Sequence, residues 1–494
     1  MSTRKINLKF TCLSLLLCVT LLVVLSACQS GTMKPSPTST YTPPQLASPT
    51  IPFTSIAPTI TQPAATTIAS SNAVRTCDFV PGKSVPALIQ SGSTQPGYYP
   101  TATLMTFNSS PVDQTTLSDQ ERIFNQIVKV ITDHYYSADY NGVDWKAIQD
   151  KYKALIGKGL KQADFYKAMN QMVAELGDNW SVFLSASDRA QLTGPDSDNV
   201  GIGAYFATLL NDQGKEIYVL AEIVPGSPAA EAGLKNHDML LKVDGLPFMD
   251  ENSNPRTLGP AGSTMMLTVQ TPGQDPRDIA VARRSVSKFP PIDICLVART
   301  QIGYLRWLDF DNTTFDQTIE ALKKLSADSP LQGLIIDLRL HGGTAINKLQ
   351  YMMSLFTSGE LGSYISPRGD STPVPFVTNP PRDIFGSQEL PLVVLQDQYT
   401  FAAPLIAGVL QLKDRARIVG QTAPGNVYNM YNQYFLDGSN LYLANQVFQP
   451  AGKSPDYWNK TGVIPDVIVD GRWDQFTEAN DPYIAKAIDL LMQK

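Results

Sequence analysis

The side chains of this chain that could do acid–base or nucleophilic chemistry are few. There are three histidines, His134, His237 and His341. So small a number leaves little room for a His-based metal centre. The chain also lacks a Gly-rich phosphate loop and paired Cys/His motifs, so no metal, nucleotide or redox cofactor is implied. Tyr399 and Thr400 are adjacent hydroxyls, and attack of a hydroxyl on a carbonyl is the chemistry they could support. That attack needs a base, for which Lys413, Lys453 and Lys460 are candidates. His341, next to Gly342, is the sharper rival, because an imidazole titrates near neutrality and can polarise a nucleophile. With no companion carboxylate at a motif spacing, it reads as a loop residue. His134 borders an apolar helical stripe and reads as a packing residue, and His237 reads as a loop substitution.

The elements that must position these residues begin well inside the chain. Arg4, Lys5 and Lys9, followed by an apolar run from Phe10 to Leu25, have the layout of a secretory signal, and the run is short for a membrane span. It ends at Leu25-Ser26-Ala27-Cys28, which resembles the bacterial lipobox, so residues 1–28 are expected to be a lipoprotein signal with Cys28 lipidated. The alternative is an uncleaved N-terminal anchor. Either way the remainder is expected outside the cytoplasm and tethered to a membrane of the bacterial envelope. Losing the three basic residues takes the formal charge from −6 to −9, which gives nucleic acid no basic surface to bind. Residues 29–70 are rich in Thr, Ser and Pro with almost no charge, a composition that cannot offset its ordering entropy and reads as a spacer. Residues 71–116 carry no clear pattern. Cys77 and Cys295 remain as an even pair in an oxidising compartment, where a disulfide is possible but a separation of 218 positions gives it no local support.

Three textures follow. Residues 117–190 are helical, with Ser118 and Glu121 as a capping box and Ile123, Phe124, Ile127, Val130, Ile131 and Tyr135 at helical spacing. Two further amphipathic stretches, Trp145 to Ile156 and Asp164 to Leu176, end at a glycine stop. Residues 195–286 are short β runs with glycine turns: Val200 to Phe206, Ile217 to Ile223, a short helix after Ser227, then Asp238 to Gly245. Residues 287–494 alternate strand and helix, with near-continuous apolar strands at Leu331 to Leu338 and Leu392 to Leu395, as expected of a sheet covered on both faces. Leu405 to Leu412 reads as a helix, and Ile418 to Gly420, Leu441 to Leu443 and Val467 to Val469 as further strands. The fold class is α/β, in a multi-domain α+β arrangement.

The order of the β pieces is similar to a PDZ domain of bacterial processing proteases. That likeness implies that the backbone of Gly201, Ile202, Gly203 and Ala204 cradles a peptide's terminal carboxylate while the peptide adds a strand to the sheet edge. Gly201 and Gly203 suit the job because close backbone approach favours residues without a Cβ. From about Leu117 to Val469 the chain resembles the C-terminal processing peptidase (tail-specific protease) family. Asp337-Leu338-Arg339-Leu340-His341-Gly342-Gly343 is similar to that family's D-L-R-x-x-x-G-G loop less one residue, with Gly342 and Gly343 the remnant of its oxyanion loop. Ile418-Val419-Gly420-Gln421-Thr422 is similar to its V-x-G-E-x-T strand end, and Gly462-Val463-Ile464-Pro465-Asp466-Val467 to its closing G-x-x-P-D-x.

The resemblance implies serine hydrolysis with a lysine base, and the two key slots depart from it. Ala407-Gly408-Val409-Leu410 fixes the register, which puts Phe401 in the nucleophile slot and Asn426 in the lysine slot. A variant register puts Ala402 in the nucleophile slot instead. Neither Phe nor Ala is a nucleophile, and the amide of Asn is not basic. Pro404 replaces the family's glutamate, which a first helical turn tolerates. Thr400 and His341 are the fallback groups. The expectation is a membrane-anchored lipoprotein with a disabled peptidase site that binds peptide or protein C-terminal ends. A serine-type peptidase with a rearranged nucleophile and a structural envelope protein are the alternatives, and self-association stays open.

Overall fold

The computed structural model describes residues 74–79, 114–178, 180–193, 199–250, 255–286, 292–308, 310, 313–341, 346–369, 372–378, 382–401, 404–425, 427–458 and 461–493. All of them belong to the unit Ser70–Lys494. The proposed signal, Cys28 and the Thr/Ser/Pro spacer lie outside the described residues, as do Gly342, Gly343, Ala402, Asn426 and Lys460.

After residues 74–79 the described chain forms three helices: Gln114–His134, Trp145–Ile156 and Gln162–Ala174. The first starts ahead of Ser118, so the expected Ser118–Glu121 box lies inside the helix and caps nothing. Asp144 does cap the second, accepting from the Ala147 N–H at 2.9 Å, and Gly177 at φ +70° ends the third. The apolar stripe Ile127, Ile131 and Tyr135 meets Tyr152, Phe165 and Met172 in one buried cluster.

That cluster continues onto an antiparallel sheet. Val182–Leu184 pairs with Asn440–Pro450, which pairs in turn with Gly359–Ile365 and then Val374–Thr378, while Tyr428–Tyr434 also pairs with Asn440–Pro450. Leu441 to Leu443, read from sequence as a strand of the α/β sheet, therefore belongs to this second sheet and packs under the helices. His134 stacks on Tyr431 at 4.1 Å, as a packing histidine should.

The α/β sheet runs Val467–Ile468, Ala416–Gly420, Leu392–Gln396, Gly333–Asp337, Ile302–Arg306 and Asp293–Leu296, parallel except for the last strand. Leu334 and Ile336 face a cluster with Leu322, Leu325 and Leu349, whereas Ile335 faces the helix Pro482–Met492. Both faces are covered, which explains the unbroken apolar runs. The segment predicted as one helix from Leu405 is a π turn, Pro404–Gly408, followed by an α turn, Val409–Leu412.

Residues 74–79 run along the outer strand of this sheet. The Cys77 N–H donates to the Leu296 carbonyl (2.9 Å), the Leu296 N–H to the Arg75 carbonyl (3.0 Å), and Cys77 is disulfide-bonded to Cys295. The pairing that the sequence left open is thus made, across 218 residues.

Between the helical unit and the α/β sheet in sequence stands a five-stranded antiparallel sheet in the order Ala204–Leu210, Glu216–Ile223, Met239–Val243, Thr264–Gln270 and Arg277–Ala282. Asn199–Gly201 pairs with Arg284–Val286 beside it. The stretch Val200 to Phe206, expected to lead into a strand, does so at Ala204, after a turn at Ile202 and Gly203 where Gly203 takes φ +70°. His237 is more than a loop substitution. It is buried, adopts φ +76°, stacks on Trp473 at 3.9 Å and shares a 2.9 Å hydrogen bond between its Nδ1 and the Trp473 carbonyl, pinning the β unit to the α/β sheet. Burial drives its pKa down to about 3, so it is neutral.

Candidate functional site

Two sites can be assembled: the turn at the end of the strand Leu392–Gln396, and the groove beside the strand Ala204–Leu210.

At the first, the strand ends in Gln396, whose side-chain amide donates to the carbonyls of Gln421 (2.9 Å) and Val463 (2.7 Å) and so ties neighbouring strand ends together. Asp397 follows, buried. Its carboxylate accepts from the N–H groups of Leu340 (3.3 Å) and Tyr399 (3.0 Å) and from Thr400 Oγ1 (2.8 Å). Burial pushes Asp397 up to about 6, against the lowering effect of those hydrogen bonds. Thr400 Oγ1 also accepts from the Asp397 N–H at 2.9 Å, closing a local turn, and the residue is fully buried. Phe401 comes next. Its N–H donates to the His341 carbonyl (3.0 Å), and its ring meets Trp180 of the helical unit edge-on at 5.7 Å.

The structure therefore brings Thr400, Phe401 and His341 together, but through backbone and packing. The His341 ring is buried against Phe310, at 4.8 Å. Of the candidate lysines, Lys413 closes the helix Val409–Leu412, and Lys453 Nζ lies over the Tyr457 ring at 4.9 Å. Gly425, just before the base slot, cannot be replaced cheaply, since a Cβ there would lie 1.8 Å from the Trp458 carbonyl oxygen. Asp397 was not singled out from sequence. An Asp three residues before a Thr is a local turn signal that could have found it.

The Asp337-Leu338-Arg339 segment is a buried anchor. Arg339 Nη2 bonds Asp337 at 2.6 Å and Asp481 at 2.8 Å, and its guanidinium lies 4.9 Å from the Trp473 ring and 4.8 Å from that of Tyr483. Burial pushes Asp337 up, but the charges and hydrogen bonds of Arg339, with Arg306, outweigh it and hold the carboxyl below its usual range. Asp481 caps the helix Pro482–Met492 through the Tyr483 and Ile484 N–H groups. The loop that carries His341 is thus fastened to the last helix.

At the second site, Gly201, Ile202, Gly203 and Ala204 line a groove of about 330 Å³ together with Phe206, Phe248, Met249, Pro255 and Leu258. The carbonyls of Ile202 and Gly203 are turned inward, accepting from the N–H groups of Ala229 (2.9 Å) and Val224 (2.9 Å). In a trans peptide the N–H that follows each carbonyl points the opposite way. The Gly203 and Ala204 amides are thereby directed towards the groove, as an anion-binding turn requires. Ala204–Leu210 is an edge strand, and its Leu210 N–H goes to the Tyr399 hydroxyl (3.2 Å) rather than to the neighbouring strand. By strand alternation, Thr208 and Phe206 also present their backbone groups to the open edge. Gly203 is obligatory, since a Cβ at φ +70° would sit 2.3 Å from Ser227 Cβ. Gly201 is not, because a Cβ there would meet Val286 Cγ2 at an ordinary 3.6 Å.

With this geometry in hand, comparison with known proteins places the chain. Residues 301–469 match peptidase family S41 and residues 118–174 the tricorn protease C1 domain. Similar curated proteins include the carboxyl-terminal-processing proteases of Synechocystis sp. (24% identical, covering 76% of this chain and 87% of that one) and Picosynechococcus sp. (26%, 76% and 90%). The chloroplastic C-terminal processing peptidase of Tetradesmus obliquus is 26% identical, covering 72% of this chain and 78% of that one. Among solved structures, the photosystem II D1 C-terminal processing protease superposes with TM-score 0.50 at 24% identity, covering 71% of this chain and 93% of that one. A putative S41 protease from Bacteroides fragilis gives TM-score 0.51 at 17% identity, over 74% and 96%. Those two share the fold.

The fold is that of the multi-domain S41 proteases. Within that class, the S41 match covers residues 301–469, and curated relatives similar to the chain over about three quarters of its length are named carboxyl-terminal-processing proteases.

Proposed function

We propose that this chain is a proteolytically silent member of its family, tethered outside the cytoplasm by a lipid on Cys28, and that it captures protein C-terminal ends at the edge of Ala204–Leu210. The observation that carries this reading is the open strand edge, which begins at two inward carbonyls and two outward amides (Gly203, Ala204) beside an apolar wall. A carboxylate fits the amides, an extended chain fits the edge, and Phe206, Phe248, Met249 and Leu258 favour an apolar last residue.

Silence is supported by the two side chains at the turn. Phe401 has no nucleophile, and the Thr400 hydroxyl is fully buried and engaged with Asp397. The extracytoplasmic reading is supported by the Cys77–Cys295 disulfide, a bond that persists in oxidising compartments. Among the described residues no helix is long and apolar enough to cross a membrane, and the tether rests on residues 1–28 alone.

One observation favours a second reading. Thr400 Oγ1 donates to a carboxylate whose pKa is raised to about 6, the pairing that a nucleophile and base would adopt. Incubation of the full chain in detergent with an unfolded protein ending in apolar residues separates the two. Capture without cleavage, lost when the client's terminal carboxylate is amidated, is the expected result. Cleavage abolished by Thr400→Ala would establish the second reading instead. Capture indifferent to amidation would defeat the carboxylate site.

A further inference from the structure

The strand Ala204–Leu210 has a second cavity at its far end. Its volume is about 300 Å³, and its lining includes Leu210, Asp212, Asp397, Tyr399, Asp470 and Arg472. It opens just past the carboxyl ends of the parallel strands Leu392–Gln396 and Ala416–Gly420, the place where open α/β sheets take ligands. The first cavity touches Gly201 to Thr208 and the second begins at Leu209, so the two lie in series along one strand.

The Tyr399 hydroxyl decides how a bound chain passes from one to the other. It occupies the outward N–H of Leu210, at 3.2 Å. An added strand can therefore pair with Ala204, Phe206 and Thr208, and is turned off the edge at Leu210. The space beside that point is the second cavity. We infer that this cavity is a specificity subsite for the residues about six to eight positions before the captured carboxyl end, and that it takes a basic side chain. The inference rests on the carboxylate-capture reading given above. A carboxylate held at the Gly203 and Ala204 amides makes the incoming chain antiparallel to the strand. Six steps at roughly 3.4 Å, or about 20 Å, then bring it to Leu210 with about seven residues.

Charge selects the side chain. Three carboxylates, Asp212, Asp397 and Asp470, face one guanidinium, Arg472. Arg472 is already paired with Asp212 and with Asp474, at 2.5 Å for the latter. Asp470 accepts from the Gln421 amide at 2.5 Å, a partner that brings no positive charge. A Lys or Arg entering here meets a surplus of negative charge. A Glu meets like charges, which specific interfaces use to reject wrong partners.

The test uses the full chain and labelled peptides long enough to span both cavities. All share one apolar C-terminal residue with a free carboxylate, and carry Lys, Gln or Glu at the positions facing the second cavity. Fluorescence anisotropy should give the Lys peptide roughly tenfold tighter binding than the Glu peptide, with the difference shrinking at high salt. In the double variant Asp212→Asn, Asp470→Asn the preference should collapse while the Gln peptide binds as before, since the introduced amide keeps an acceptor for Gln421. Equal affinities in the parent chain, or tighter binding of the Glu peptide, overturn the subsite while carboxylate capture stands. Binding indifferent to amidation, or no binding by any peptide, overturns both.

Discussion

The two glycines of the groove turn allow a within-motif contrast. At Gly203, an alanine would hold φ near +70° and place its Cβ 2.3 Å from Ser227 Cβ and 2.8 Å from Ser227 Oγ. The left-handed conformation costs an alanine roughly 1–2 kcal/mol. Relieving the overlap costs roughly 1–3 kcal/mol more. Ser227 cannot retreat freely, because its Oγ caps the short helix Pro228–Glu231 through the Ala230 N–H (3.3 Å) and donates to the Gly203 carbonyl (3.2 Å). Losing that cap adds about 1 kcal/mol. Against this stands roughly 0.4–1 kcal/mol gained by stiffening the unfolded chain. Gly203→Ala should thus lose about 3–5 kcal/mol from the β unit. At Gly201 the same methyl meets only Val286 Cγ2 at 3.6 Å, in extended backbone. Gly201→Ala should be neutral, or stabilised by up to about 1 kcal/mol. Guanidinium titration read from Trp473, which stacks on His237 of the β unit, reports the relevant transition in a multi-domain chain. Peptide affinity should fall at least tenfold in Gly203→Ala and hold in Gly201→Ala. Equal midpoints and equal affinities for the two variants would refute the reasoning about this turn.

Three further outcomes are expected. Arg339→Met leaves Asp337 and Asp481 buried without their shared cation, so unfolding free energy should drop by roughly 3–5 kcal/mol; a denaturant midpoint that barely moves would deny Arg339 its anchoring part. Asp397 has a folded pKa of about 6, raised above the unfolded value near 3.9, so its contribution is fully present below about pH 4 and is lost as pH rises through about 6. Asp397→Asn should match the parent chain near pH 4 and exceed it by about 1–3 kcal/mol at pH 8, and stability curves that stay parallel across that window would contradict the assigned burial. Replacing both Cys77 and Cys295 by Ser removes a loop closure over 218 residues and should lower stability by roughly 2–5 kcal/mol, with the parent chain shifting by a like amount under reductant; insensitivity to reductant would mean the pair is not formed.

The parts of this fold legible in sequence were those whose burial is stated locally. Gly333–Asp337 and Leu392–Gln396 are apolar at successive positions because helices cover both faces of their sheet. The helix Trp145–Ile156 announces itself by its stripe and its Asp144 cap. Of the second sheet only Leu441 to Leu443 read as a strand, and its membership of a separate sheet did not show. The neighbouring strand Tyr428–Tyr434 reads Tyr-Asn-Met-Tyr-Asn-Gln-Tyr, poor in β-branched residues, and the register slips between Asn429 and Met430. What makes it a strand is Asn440–Pro450 beside it and the helical unit beneath. At the sites, the slots of Phe401 and Asn426 rest on the family resemblance, and Asn426 lies outside the described residues. The roles of His237 and Tyr399 were not legible, because their partners Trp473 and Leu210 lie 236 and 189 residues away.

Those distant contacts carry more of the proposed function than the local motifs do. A spacing rule between a captured carboxylate and an upstream basic residue holds only if the groove and the second cavity keep a fixed separation, and the second cavity is lined jointly by the β unit and the α/β domain. The β unit and the α/β domain meet through buried polar and aromatic contacts. Arg306 Nη1 donates to the Ala221 carbonyl (2.6 Å) and meets Glu222 at 3.2 Å, with both side chains buried. Trp473 Nε1 donates to the Leu220 carbonyl at 3.2 Å, and its ring is contacted by His237, Arg306 and Arg339. Neutral His237 adds no charge to this seam, whereas burial raises Glu222 to about 7 against the pull of Arg306. A pair buried on both sides is a weak argument for stability, since desolvation offsets much of its attraction. The Tyr399 hydroxyl, from the α/β domain, also reaches the β unit, at the Leu210 N–H. Loosening the seam would leave the groove intact but draw apart the second cavity, whose lining joins Leu210 and Asp212 of the β unit to Asp397, Asp470 and Arg472 of the α/β domain. Discrimination between peptides that differ only upstream should then be lost.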